Sequence, residues 1–162
     1  IVHRLDRETS GVMIFAKHKR HKEYLQEQFA NRDVHRVYHA LVEGKPDREN
    51  GTIREWLLED KFLKVKAVKK NHPKAKEAIT HYTVVDFDEF ASLVQLTIET
   101  GRRHQIRVGL ANLGCPVLGD EAHGAEGNPI GRIALHASSL EFLHPETDDP
   151  VRFEAPIPFG PE

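Results

Sequence analysis

Three short stretches of this chain gather side chains that can move a proton or meet an anion. The first is His3-Arg4-Leu5-Asp6-Arg7-Glu8-Thr9-Ser10-Gly11. A carboxylate stands there between two arginines, ahead of a turn that ends in glycine. Nearby cations favour the charged form of a carboxylate, which suits a nucleophile or a base more than an acid. A surface ion pair or a turn cap is the plain structural reading of the same Asp6. The second stretch is Arg36-Val37-Tyr38-His39-Ala40-Leu41-Val42-Glu43-Gly44. A tyrosine on a strand can stack on a base and offer its hydroxyl to a proton in transit, although strand tyrosines more often serve packing alone. The third is Thr100-Gly101-Arg102-Arg103-His104-Gln105-Ile106-Arg107, where a turn precedes a helix start. Arg107 falls one helical turn after Arg103, so both could face one ligand, a phosphate or a distant carboxylate. A solvated basic helix face competes with that reading.

Other residue types narrow the chemistry. Among the eleven histidines, the pairs His18 with His21 and His35 with His39 invite a metal, but neither has a convincing acidic or cysteine ligand beside it. No metal site is expected. The single cysteine, Cys115, excludes an internal disulfide and fits a reducing compartment. No run of roughly eighteen apolar residues exists, and the charged opening resembles no signal or transit peptide, so a cytosolic location is the default.

Charge bears on partners. The net charge of -2 and the pI of about 6.6 describe no strongly basic molecule. Its charge is unevenly placed, however: from Lys61 to Lys76 there are seven lysines and no acid, and from Glu141 onward six acids face one base, Arg152. The lysine-rich stretch reads either as a solvated hairpin or loop, or as a local phosphate-facing surface.

The elements that must position these residues follow from pattern. Val12 to Ala16 reads as a short buried strand after a polar turn, and Lys17 to Ala30 as a helix with Leu25 and Phe29 on one face. Arg36 to Val42 has strand character and is closed by Gly44 and Pro46. Ala78 to Asp86 and Ser92 to Thr100 read as paired strands. Gln105 to Leu113 fits a helix stopped by Gly114, with Pro116 shortly after. Two late strands, near Ile133 to Phe142 and Val151 to Glu154, flank the loop from His144 to Pro150. No repeat or linker divides residues 1–162, and 39% hydrophobic residues suffice for an ordinary core. One α+β domain with a mostly antiparallel, mixed sheet flanked by helices is expected.

Taken together, these strings resemble the RluA-type pseudouridine synthases. The signature match runs from His3 to Lys17. Tyr38 to Gly44, Thr100 to Val108, and Leu135-His136-Ala137 through His144-Pro145 follow in the family's order. The resemblance implies isomerisation of uridine in RNA by cleavage of the N1–C1′ bond and rejoining through C5, with no metal or organic cofactor. It implies that Asp6 is the catalytic aspartate, that Tyr38 lies against the uracil and helps with the C5 proton, and that Arg107 pairs with Asp6. Arg4 matches a position that contacts or replaces the displaced nucleotide, and Arg7, Arg103 and His104 are expected to meet RNA. Ribosomal and transfer RNA are both compatible, and a monomer is the simplest expectation. Two departures stand out. The chain starts directly before the aspartate motif, so the N-terminal portion of the family's catalytic domain, including part of its central sheet, is expected to be missing. Gly109 stands where relatives commonly carry histidine. A non-catalytic RNA-binding module that keeps the fold is the alternative, and a glycoside hydrolase would need a second acid opposite Asp6.

Overall fold

The computed structural model describes residues 1–161. Eight strands form one sheet: β1 (Ser10–Gly11), β2 (His35–Glu43), β3 (Asn50–Glu59), β4 (Val65–Val68), β5 (Lys76–Phe87), β6 (Ala91–Ile98), β7 (Leu135–Leu143) and β8 (Pro150–Glu154). Their order is β1-β7-β2-β6-β5-β3-β4, with β8 also on β7. Every pairing is antiparallel except that of β1 with β7. Two helices accompany the sheet, α1 (Lys19–Ala30) and α2 (Gln105–Asn112). The α+β architecture with a mixed sheet is therefore as the sequence indicates. No helix among the described residues is long and apolar enough to cross a membrane.

The central position of β2 explains its composition. With β6 on one side and β7 on the other, Tyr38 through Val42 are all buried, and a mostly apolar run, with His39 as its one strongly polar member, suits a strand covered on both faces. β2 and β7 share a register shift between Val37 and Tyr38, where Ser138 is the extra residue. His39 Nδ1 and the Ser138 hydroxyl lie 2.6 Å apart at this bulge. Such a bulge bends the strand locally and re-aims neighbouring side chains, and Arg36 and Tyr38 flank it.

The expected strand from Val12 to Ala16 is not a strand. Only Ser10 and Gly11 pair with β7, at His136 and Ala137, because β8 occupies the same edge of β7 from Ser139 to Leu143. The chain peels away, and the Ile14 N–H donates to His3 Nε2 at 3.1 Å instead of to a neighbouring strand. Val12, Ile14 and Ala16 still bury their side chains, against the cluster of Val2, Leu25, Val34, Leu140 and Phe142. Gly11 is needed where the chain meets β7: its φ is 115°, and a Cβ there would run into the Ala137 carbonyl.

The sequence reading also lacked β3 and β4. Period-two alternation over Gly51, Ile53 and Leu57 is present, but Arg54 and Glu55 break up the apolar signal. The lysine-rich stretch begins as the turn of the β3–β4 hairpin, where Asp60 Oδ1 accepts from the N–H groups of Phe62 and Lys64 at 2.8 and 3.0 Å. The helix α1 buries Leu25 and Gln28. Gln28 extends the sheet's hydrogen bonding, since its amide both donates to the Leu143 carbonyl and accepts from the Leu143 N–H, at 2.8 and 2.7 Å.

The helix α2 buries six consecutive residues, Gln105 to Leu110. Ile106 and Leu110 join the main core with Tyr38, Leu96, Val117 and Leu135, while Val108 packs with Leu57, Val65 and Ala78. Gly109 lies against β3: a Cβ there would meet Ile53 and Glu55 at 3.4 Å, so a small residue lets helix and strand approach. Buried hydrogen bonds fix the helix start. Gln105 donates to the Ile79 carbonyl and Thr80 hydroxyl at 3.0 and 2.9 Å, and accepts from Thr100 and from the Arg102 N–H at 2.7 and 3.1 Å.

Candidate active site

Four segments converge at one end of the sheet: the loop before β1, the start of α2, the bulged part of β2, and the loop carrying Gly119 and Asp120. A cavity of about 70 Å³ lies there, lined by Asp6, Tyr38, Arg36, Arg107 and the turn from Gly101 into α2. It adjoins a wider opening of about 470 Å³, which shares Arg4, Asp6, His104 and Arg107 and adds Arg7, Glu8, Glu59 and Arg103.

Arg107 organises the carboxylates. Its Nε and one terminal nitrogen donate to the two oxygens of Asp120, each at 2.8 Å, and the other terminal nitrogen donates to Asp6 Oδ2 at 3.3 Å. Exposure separates the two acids. Asp120 is 1% exposed and Arg107 8%, whereas Asp6 is 25% exposed, so only Asp6 can present an oxygen to a ligand. Burial by itself would make the guanidinium easier to deprotonate, but the Asp120 hydrogen bonds and the charges of Asp120 and Asp6 outweigh it and hold Arg107 above its ordinary range. A bidentate arginine–carboxylate pair is geometrically rigid, which fixes the nitrogen that holds Asp6. The backbone contributes as well, with the Thr9 N–H donating to the Asp6 carbonyl at 2.9 Å.

Tyr38 reaches the same cavity from β2. It is 7% exposed, and burial raises its phenol above the usual range; Asp6 adds to that rise and Arg36 opposes it. His104 sits immediately before α2 with φ 56°. Its ring meets His123 edge to face, with Nδ1 and Nε2 3.2 Å apart. Burial lowers the pKa of both rings; Arg107 pushes His104 further down while Asp6 opposes, and Asp120 opposes the fall of His123. Neutral imidazoles near pH 7 follow from that balance.

The residues expected to meet at one place therefore divide. Asp6, Tyr38, Arg107, Arg4 and His104 line the inner cavity. Arg103 and Arg107 do not turn to one ligand at depth: Arg103 points to the rim, where it pairs with Glu59 at 3.2 Å. The cation held against Asp6 is neither Arg4 nor Arg7, its sequence neighbours, but Arg107 from α2. Arg7 is exposed at the outer opening. The sequence reading also missed Asp120, Arg36 and His123. A buried acid directly after the apolar Val117-Leu118 and a glycine was the available sign of Asp120. Gly119 has φ 86°, and a Cβ there would collide with the Arg132 carbonyl.

The profile of the RNA pseudouridylate synthase family matches residues 1–112. The chain belongs to this family. Among other members, it is 40% identical over 159 residues to the uncharacterized RNA pseudouridine synthase YhcT of Bacillus subtilis, covering 97% of this chain and 52% of that protein. To the ribosomal large subunit pseudouridine synthase D of Xanthomonas campestris it is 37% identical over 172 residues, covering 98% of this chain and 51% of that one. The solved structure of human RNA pseudouridylate synthase domain containing 1 superposes with a TM-score of 0.85 at 28% identity, over 98% of this chain and 69% of that chain. Human RNA pseudouridylate synthase domain containing 4 gives 0.81 at 27%, over 97% and 70%. The chain spans about half the length of the curated relatives it matches.

Proposed function

We propose that this chain carries the catalytic site of a pseudouridine synthase that isomerises uridine within ribosomal or transfer RNA, acting as a cytoplasmic monomer without a cofactor. The observation that carries the reading is the arrangement of Asp6. It is the only carboxylate in the wall of the inner cavity among the described residues, it is held by Arg107, and it shares that wall with Tyr38. A glycoside hydrolase would need a second acid facing it, and the nearby Asp120 is committed to Arg107.

The reaction conserves every atom of the nucleoside apart from proton exchange with water. The N1–C1′ bond breaks, the uracil turns, C5 bonds to C1′, the C5 proton leaves, and N1 gains a proton. Asp6 supplies the charge that meets C1′ or takes a proton from the sugar, and Arg107 keeps that carboxylate oriented. The Tyr38 hydroxyl, which feels the charges of both Arg36 and Asp6, relays the C5 proton. The uridine must leave its stack, at a cost of a few kcal/mol. Arg4 at the cavity entrance fills the space it vacates, while Arg7, Arg103 and His104 meet flanking RNA.

The test is incubation of the chain with ribosomal and transfer RNA lacking pseudouridine, followed by nuclease digestion and chromatography of the nucleosides. Pseudouridine appears if the reading is right. RNA retained on the protein with no pseudouridine formed would instead make the chain a non-catalytic RNA-binding module.

A further inference from the structure

Arg36 is a cation in the site that none of the roles above uses. It lines the inner cavity, its Nε is buried with no hydrogen-bond partner, and among the described residues no carboxylate forms an ion pair with it. The other arginines there are accounted for differently. Arg107 is taken by two acids, Arg102 Nε donates to the Glu77 carbonyl at 2.9 Å, and Arg4 is exposed to solvent. A half-buried guanidinium without a counter-ion is costly to keep, so its retention calls for an explanation.

The surroundings hold the guanidinium in place without neutralising it. Its carbon lies 5.3 Å from the centre of the Phe29 ring, which is itself stacked on His3 at 4.8 Å. On the Gly101 side there is no side chain: a Cβ at Gly101 would come within 3.1 Å of both terminal nitrogens. The Tyr38 hydroxyl hydrogen-bonds with the guanidinium and is neutral, so it occupies one donor without balancing the charge. The result is a fixed guanidinium with Nε unpartnered and its charge unbalanced, in the same cavity as the carboxylate that must meet the ribose.

From this we propose that Arg36 binds a phosphate oxygen of the nucleotide presented to Asp6, that is, the phosphodiester next to the target uridine. The planar fork suits a phosphate better than a point charge would. The contact also offsets the repulsion between that phosphate and Asp6. This assignment rests on the reading of the site as a pseudouridine synthase.

The experiment measures tritium release from ribosomal RNA carrying 5-tritiated uridine, below saturation and at a series of potassium chloride concentrations, with the chain, Arg36→Gln and Arg36→Lys. Each phosphate contact adds about one unit to the slope of log affinity against log salt. Arg36→Gln should lower kcat/KM about tenfold at low salt and flatten the slope by about one unit, with kcat little changed. Arg36→Lys should restore most of the slope. An unchanged slope, with kcat reduced and the pH profile displaced, would overturn the proposal and make Arg36 a residue that tunes Tyr38. Filter retention of the same RNA gives the slope without turnover. A chain that binds but releases no tritium thus removes the functional reading while the Arg36 contact is still decided by that slope.

Discussion

Arg107 and Arg103 lie four residues apart in sequence, yet they belong to two different electrostatic regions. Arg107 is enclosed and shared by Asp120 and Asp6, whereas Arg103 meets Glu59 at the rim with both side chains about 40% exposed. The rim continues into a second cavity lined by Lys74, Lys76, Arg102 and Arg103, next to the lysine-rich hairpin. Arg103 precedes α2, and the left-handed His104 between them breaks the helical spacing that would have put the two arginines on one face. What the neighbouring loops bring against each guanidinium then sets its surroundings. In the interior a cation orients a carboxylate, and at the rim it stays in contact with solvent.

The largest effect should come from unbalancing the interior. Asp120→Ala leaves a buried guanidinium facing one partly exposed acid, and breaking a buried pair of this kind costs about 3–5 kcal/mol. Urea denaturation should show the loss, and Asp120→Asn should retain more of the stability. A cost no larger than that of Arg103→Ala would mean that the interior and the rim are not distinct.

A second, intermediate effect concerns His3, which lies behind the site. Burial, with help from Arg36, lowers its pKa from 6.5 to about 4. Its Nε2 accepts the Ile14 N–H, a role the protonated ring cannot fill. The folded state therefore binds fewer protons than the unfolded chain between those two values. The stability so contributed is complete above pH 6.5 and is lost as the pH falls toward 4, by up to about 3 kcal/mol. Urea midpoints between pH 7 and pH 4.5 should show this loss, and His3→Gln should flatten the dependence.

The smallest effect belongs to the rim. Arg103→Ala should change stability by less than about 1 kcal/mol, since the pair with Glu59 is exposed. It should lower RNA affinity and flatten the salt slope by about one unit, measured by filter retention. A loss of fold would move Arg103 into the structural class of Arg107.

Much of this was legible in the sequence where local pattern and chemistry coincide. The strands β2, β5, β6, β7 and β8 and both helices follow from apolar runs and turn residues, and Asp6, Tyr38 and Arg107 do come to one cavity. The remainder depended on contacts far apart in the chain. Whether Val12 to Ala16 pairs as a strand is decided by β8 claiming the edge of β7, which no local pattern records. Asp120 and Arg36 gain their meaning from Arg107 and Gly101, on a different segment. The β3 strand was hidden by Arg54 and Glu55, whose side chains pair with Glu77 and Asn112 at the surface.

In the proposed reaction Asp6, held by Arg107, is the carboxylate that isomerises uridine. Its most direct measurement is tritium release from RNA bearing 5-tritiated uridine, comparing the chain with Asp6→Asn while folding is followed by circular dichroism. Asp6→Asn is nearly isosteric and can still accept the Arg107 hydrogen bond, so the fold should persist and release should fall to background. Release that continues at a comparable rate in folded Asp6→Asn would contradict the account.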